Sequence, residues 1–355
     1  MKEICGFGGR FTERIIGCAF QVANALGHGL AIIPNLTCWQ SDAIFISIKH
    51  GVPPMGSPQF TRQMTIPEWE ALFPDDDACK TYLAKRRWPS GVVTCPRCGS
   101  DKAYPLPTRP FHWQCHACSP NKAGYRFSVL VNTIFENTNI GLRQWFKVIY
   151  LMLTSKKGIS SLQIQRIMGF GSYKTALYMS HRIRAALADP DFRKLIGIVE
   201  VDETFVGGKN KNRHADKRTD GLGGAGKTVV MCAVQRGGTV VARVVAAVDL
   251  LTATRFVNEA VSTKVDLVAT DESNIYNRVS ERSAHEFVTH SRGEYIRGEV
   301  HTCTIDGFWP LLKRGIIGTF HNVSAKYLPL YVTEFEWRYN NRDTPDIFGQ
   351  AVAQC

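Results

Sequence analysis

"IGIVEVDETFVGG", residues 196–208, alternates β-branched residues with acids and stops on two glycines. That composition and length predict an apolar strand. Two further β-branched runs follow, "KTVVMCAVQRGG" (227–238) and "TVVARVVAAVD" (239–249). A helix-like "TATRFVNEAVSTKV" (252–265) comes next, then a short strand in "DLVATDES" (266–273) and helical segments after Thr304. Three strands in series, then alternating helix and strand, predict an α/β domain: a mixed sheet flanked by helices.

Two of these strands end in acids, Asp202 and Asp271. Buried strands seldom carry a carboxylate without a partner. A third acid, Asp306, follows in "HTCTIDGFWPLLKRG" (301–315), with 34 residues between it and Asp271. On a helix, Ile305, Phe308, Leu311 and Leu312 would form its buried face, and Asp306 and Lys313 would share another face two turns apart. Taken alone, Asp306 reads either as a surface charge on an amphipathic helix or as one corner of a metal site. Three carboxylates brought together would repel unless cations neutralise them. Two Mg²⁺ (or Mn²⁺) ions about 3.5–4 Å apart would do so and would activate attack on a phosphodiester. Glu200 shares the face of Asp202 by strand alternation and is the rival ligand.

The chain has 355 residues, 44% hydrophobic and 10% aromatic, which describes a globular protein of two or three domains and excludes a disordered one. Its net charge of +12 favours a polyanionic partner, most simply nucleic acid. No apolar run reaches the length of a membrane span. The eleven cysteines are sparse and only four cluster, which suits a reducing cytosol and a metal, so a cytoplasmic, nucleoid-associated location is expected. Residues 1–62 read as an irregular extension and 63–92 as a helical lead-in, with Pro67 suited to a first helical turn. Segment 93–128 is rich in Cys, Pro and aromatics. Segment 129–190 is helical. Segment 196–345 carries the α/β pattern, and 346–355 reads as a tail.

Cys95 and Cys98 form one C-x-x-C pair, and Cys115 and Cys118 a second, with sixteen residues between the pairs. Each pair makes a knuckle in which two thiolates converge, and two knuckles complete a closed tetrahedral site. The spacing is that of a zinc ribbon with a structural Zn²⁺. In the helical segment, "SSLQIQRIMGF" (160–170) and "SYKTALYMSHRIRAAL" (172–187) flank a Gly-Phe-Gly turn, with Ser172 as N-cap. A helix-turn-helix would set the second helix, with Lys174, Arg182 and Arg184, in the major groove of double-stranded DNA. An ordinary helical hairpin has the same pattern. The basic loop "GGKNKNRHADKRTDGLGGAGK" (207–227), with Lys209, Lys211 and Arg213, reads as a phosphate clamp or a solvated hairpin tip. Trp309 reads as a base-stacking residue or a core residue.

The stretches "CPRCGS", "WQCHAC", "FSVLVNTIFENTNIGLRQWF", "VEVDETFVGGKNKNRH", "GKTVVMCAVQRGG", "VATDES" and "IDGFWPLLKRGIIGTFHNVSAKYLPLYVTEFEWRYNNR" jointly resemble an insertion-sequence DDE transposase. The type is the one that joins a zinc ribbon to a ribonuclease-H-like domain, the insertion-sequence family numbered fifteen ninety-five. The resemblance spans residues 64–342. It implies that Asp202 and Asp271 are the first two metal-binding acids, that Asp306 stands where the family usually has Glu, and that Lys313 contacts the transposon end. It also implies Mg²⁺-dependent cleavage at a transposon 3′ end, strand transfer into target DNA, and a homo-oligomer on DNA. A non-catalytic DNA-binding descendant of such an enzyme is the alternative. Three departures bear on it: Asp306 for Glu, Cys303 for Asn, and Pro310, whose ring would clash with the carbonyl of Asp306 and make the helix start after 306 or kink. Separately, "FTERIIGCAFQVANALGHGL" (11–30) is similar to the start of the GxxExxY proteins, as if host sequence were fused upstream.

Overall fold

The computed structural model describes residues 64–118, 124–189, 192–208 and 226–355. The extension at 1–62, with its GxxExxY-like stretch, and the loop residues Lys209, Lys211 and Arg213 lie outside the described residues.

The expected lead-in helix is two helices, α1 (Ile66–Leu72) and α2 (Asp76–Arg87). Thr65 and Glu68 close a capping box on α1, with Pro67 in the first turn, and the Asp75 side chain accepts from Ala78 N to start α2. The break falls at Phe73 and Pro74, where a proline ends α-geometry in the residue before it. Strands β1 (Ala103–Pro105), β2 (His112–Cys115) and β3 (Tyr125–Ser128) form an antiparallel sheet in that order. Helices α3 (Leu142–Thr154), α4 (Ser161–Met168) and α5 (Tyr173–Ala186) follow. The turn from α4 passes through Gly169 at φ +67°, and Ser172 caps α5 by accepting from Lys174 N, as expected.

The second half is a five-stranded mixed sheet of order β6-β5-β4-β7-β8, built from β4 (Leu195–Val206), β5 (Thr228–Gln235), β6 (Val240–Val245), β7 (Val261–Asp271) and β8 (His285–Val288). β4, β5 and β6 are antiparallel neighbours, whereas β7 lies parallel to both β4 and β8. Helix α6 (Leu250–Ala260) covers one face, packing on Val199, Val201 and Met231. Helices α7 (Cys303–Arg314) and α8 (Leu328–Asn340), joined through a π-helical segment at Gly315–Phe320, cover the other face over Val230, Cys232 and Val234. This is the ribonuclease-H-like arrangement that the sequence implied. Between β8 and α7 lies a small hairpin of β9 (Ile296–Arg297) and β10 (Val300–His301).

Three boundaries differ from expectation. α6 ends at Ala260, and Val261–Lys264 already belong to β7, where Val261 pairs with Leu195; the β-branched run Val261, Ser262, Thr263 favours the sheet. β8 was not foreseen, since "HEFV" shows no clear alternation. The last ten residues are not a tail. They form α9 (Ile347–Gln354), and Phe348, Ala351, Val352 and Cys355 are buried in the core of α2, α3 and the ribbon. Phe348 packs on Phe73 and Phe146, and Cys355 O accepts from Ile134 N at 2.7 Å.

Candidate functional site

Four cysteine sulfurs meet where the ribbon's strands end. Cys95, Cys98, Cys115 and Cys118 place their Sγ atoms within 4.8 Å of one another, with Cys95–Cys118 at 3.6 Å and Cys98–Cys115 at 3.7 Å. A tetrahedron of sulfurs about 2.3 Å from Zn²⁺ has edges of about 3.8 Å, so the cluster fits the ion. The neighbouring Cys98 thiol, together with burial and the other two sulfurs, pushes the Cys118 thiol well above its ordinary value. A cation among the sulfurs would reverse that. All four positions of such a site are filled by protein, which makes it structural.

The acids lie on the α7 side of the larger sheet. Asp202 is half-buried and lies within β4, not at its end as expected, because the pairing with β5 continues to Val206; Asp271 does end β7, and Asp306 is exposed in the first turn of α7. Burial raises the Asp202 carboxyl above its usual range, and the charges of Asp271 and Asp306 add to the rise. Two donors work against it, Glu203 N and Trp309 Nε1; the latter gives 2.7 Å to Asp202 Oδ2. The three acids therefore share one field. Their oxygens are not drawn to within 4.8 Å as a trio; among the described residues only the four cysteines are. An all-carboxylate donor set suits hard divalent cations, and cations there would relieve the repulsion at Asp202.

Glu203 faces the opposite side of β4, where Tyr276 Oη donates to it at 2.6 Å. Burial, reinforced by Asp202 and Asp271, pushes its carboxyl up to about 7. Glu200, expected as the rival ligand, does share the face of Asp202, but its oxygens are taken. Arg236 Nε donates at 2.7 Å, Thr304 N at 2.8 Å, Thr304 Oγ1 at 2.9 Å and Ile305 N at 2.9 Å. Trp309 is a core residue, 5% exposed against Phe308.

Helix α7 begins at Cys303, ahead of Asp306, and runs through Pro310. A start after 306 is thus not how the chain accommodates the proline. Pro310 has no N–H to give, so the carbonyl of Asp306 lacks its α-helical donor. Ile305, Phe308 and Leu312 are fully buried, each worth about 1.5–3 kcal/mol, which outweighs one missing ladder bond. Cys303 is exposed at the helix start.

The expected DNA-contacting residues divide. Lys174 is exposed in the first turn of α5, and Lys313 is exposed in the last turn of α7. Arg182 is half-buried; it donates to Tyr178 Oη at 2.6 Å and lies over the Tyr178 ring. Arg184 points the other way and has no exposed surface. Its Nε donates to Glu334 Oε2 at 2.7 Å, and its guanidinium sits 4.0 Å from the Tyr331 ring centroid. Helical phase explains the correction: Arg184 lies one position after buried Ile183, on the α8 side of α5. Sequence reasoning missed Arg236 and the buried acid Glu334, since neither stands in a periodic run.

Residues 194–340 match the ISXO2-like transposase domain, and residues 74–121 match the transposase zinc-ribbon domain. A protein of transposable element ISH50 in Halobacterium salinarum, itself uncharacterized, is 29% identical over 286 residues, covering 75% of this chain and 91% of its own. A chain in a structure of the simian T-cell lymphotropic virus intasome with a PP2A regulatory subunit is 15% identical over 54% of this chain; this chain spans 65% of that one, and the TM-score of 0.26 is too low to bear on the fold. Cysteine cluster, mixed sheet and acids fall inside the two matched regions, so the chain carries a transposase zinc-ribbon domain followed by an ISXO2-like transposase domain.

Proposed function

We propose that this protein is a DNA transposase that binds the terminal repeats of its element, cleaves at their 3′ ends with Mg²⁺ or Mn²⁺, and transfers the freed ends to target DNA. The observation that carries the reading is the placement of Asp202 on β4, Asp271 at the end of neighbouring β7 and Asp306 in the first turn of α7, on one side of a ribonuclease-H-like sheet. Divalent cations held by these acids would supply Lewis-acid stabilisation and an activated water or 3′-hydroxyl for in-line displacement at phosphorus. The chain's own residues do the rest. Asp202 and Asp271 come from neighbouring parallel strands and Asp306 from α7, which packs over β4 and β5, so the three acids reach one side of the sheet only in the folded domain. Trp309 Nε1 orients the Asp202 carboxylate from within that helix. Lys313, two turns beyond Asp306, meets a phosphate of the transposon end, while Lys174 and Arg182 on α5 meet duplex DNA. Lys209, Lys211 and Arg213 add backbone contacts. The working form is a homo-oligomer on DNA in the cytoplasm. Among the described residues no helix is long and apolar enough to cross a membrane.

A nicking assay on labelled terminal-repeat DNA tests this. The parent should cleave only with Mg²⁺ or Mn²⁺, and Asp202→Ala should abolish cleavage while DNA binding persists. Cleavage that survives Asp202→Ala would place the chemistry elsewhere. A second reading, a DNA-binding protein without catalysis, is favoured by the short third acid and the proline one turn beyond it. Metal-independent binding with no nicking by the parent would establish that reading.

A further inference from the structure

We propose that Glu200 is a positioning residue for Asp306, acting as a remote cap on the helix that presents the acid and fixed in turn by Arg236. The inference rests on the reading of Asp202, Asp271 and Asp306 as the metal site. The first N–H groups of a helix have no partner within it. Thr302, the residue at the N-cap of α7, offers no side-chain bond. The partner comes instead from β4, where Glu200 Oε2 accepts from Thr304 N and Ile305 N at 2.8 and 2.9 Å. Thr304 Oγ1 adds a third bond at 2.9 Å. A carboxylate at this end of a helix also matches its dipole. The next residue after Ile305 is Asp306 itself.

Arg236 completes the bracket. Its Nε donates to Glu200 Oε1 at 2.7 Å, and its terminal nitrogens donate to the carbonyls of Glu299 at 2.7 Å and His301 at 3.0 Å. Those carbonyls lie just before β10 and at its last residue, in the segment that feeds α7. His301 Nδ1 lies 3.2 Å from Glu200 Oε1. Glu200 has no exposed side-chain surface, so its orientation is held by these bonds and by packing. One carboxylate thus ties together the strand that carries Asp202, two residues on, and the helix that carries Asp306, two residues past the first amide it caps. A shift of α7 along or around its axis would break three hydrogen bonds to Glu200 before it moved Asp306 by a residue. Asp306 is short and exposed, so it depends on its helix for placement more than a buried acid would.

The test uses the full zinc-loaded chain and compares the parent with Glu200→Gln, Arg236→Gln and Asp202→Ala. Mn²⁺ binding is followed without DNA by electron paramagnetic resonance, amide exchange is read at 304–306, and the Mn²⁺ concentration for half-maximal nicking is measured. Glu200→Gln and Arg236→Gln should each weaken Mn²⁺ about 10-fold, as loss of an outer support does. Each should speed exchange at 304–305 and raise the half-saturating Mn²⁺, with nicking recovered at high Mn²⁺. A general loss of folding would lower activity without moving that concentration. Asp202→Ala should remove Mn²⁺ binding and leave exchange at 304–305 slow. Parental Mn²⁺ affinity in both Glu200→Gln and Arg236→Gln, with binding lost in Asp202→Ala, overturns the positioning role and leaves the acid site standing. Parental affinity in Asp202→Ala overturns the acid site and this proposal with it. Arg236 has about a fifth of its side chain exposed, so its variant keeps the test decisive if Glu200→Gln does not fold.

Discussion

Replacing Arg184 by Met separates a structural arginine from a DNA-binding one. Arg184 and Glu334 form an ion pair with side-chain exposures of 0% and 1%, between α5 and α8. Removing one partner of a buried pair costs about 3–5 kcal/mol, because the other charge stays behind. Glu334 keeps Arg338, whose nearest nitrogen is 3.0 Å away, so the lower end, about 3 kcal/mol, is expected. At about 2–4 °C per kcal/mol for a domain of this size, the melting temperature should fall by roughly 6–12 °C. Arg184→Met with Glu334→Leu should regain much of that loss, since an apolar pair of similar volume is often neutral and Arg338 retains the carbonyls of Met152, Leu153 and Ser155. The same pair sets an acid limit. Burial alone would raise the Glu334 carboxyl, but Arg184 and Arg338 more than offset it and hold it below the usual 4.5. A depressed acid contributes stability that is present above its unfolded value and lost as pH falls through the folded one, so the gap between parent and Arg184→Met should narrow below about pH 4.5. In DNA binding, Lys174→Gln should reduce the salt slope by about 1, whereas Arg184→Met should leave it unchanged. An Arg184→Met protein with the parental melting curve and a slope reduced by about 1 would refute the buried placement.

Cys115→Ser should lose its bound zinc, read by metal analysis of purified protein; retained zinc would remove Cys115 from the site. Gly315→Ala should destabilise the protein by about 1–3 kcal/mol, because a methyl group there runs into the Phe335 ring; an unchanged melting temperature would contradict that packing. Trp309→Phe keeps the ring's burial and removes one hydrogen bond to Asp202, so Mn²⁺ affinity should drop roughly 10-fold or more, by titration. Asp306→Glu with Pro310→Ser should raise metal-dependent nicking, since it lengthens the acid and returns a donor to its carbonyl; a double variant no faster than the parent would show that neither change limits the reaction.

The cysteine pairs, Asp271 at the end of β7 and the β-runs at 196–249 were legible because each is a local signal, whereas β4 runs four residues past Asp202. Sulfur spacing defines a knuckle, and alternation defines a face. Glu200 shows where local signals stop. Its face was read correctly from β4, yet its partners lie about a hundred residues away at Thr304 and Ile305. No pattern within the strand could tell a metal ligand from a helix cap. Arg184 failed for a related reason. A basic residue on a presumed recognition helix looks like a DNA contact until a buried acid from α8 appears opposite it. α9 was misread because "IFGQAVAQC" is short, and its apolar face has meaning only against the aromatic cluster of Phe73, Tyr82 and Phe146.

That last helix also sets an order of assembly. The core around α2 and α3 needs Phe348, Ala351 and Val352, which leave the ribosome after the whole five-stranded sheet. Between Ala186 and Ile347 lie 160 residues, which take roughly 8–32 s to synthesise at about 5–20 residues per second. For the last 58 residues of that interval, between Val288 and Ile347, roughly 3–12 s at about 5–20 residues per second, the cavity meant for Phe348 stays open while the sheet has its complete sequence and can close. The half that carries the ribbon and α5 therefore matures last. On a nascent chain, the acids are assembled before the part expected to choose the DNA is finished.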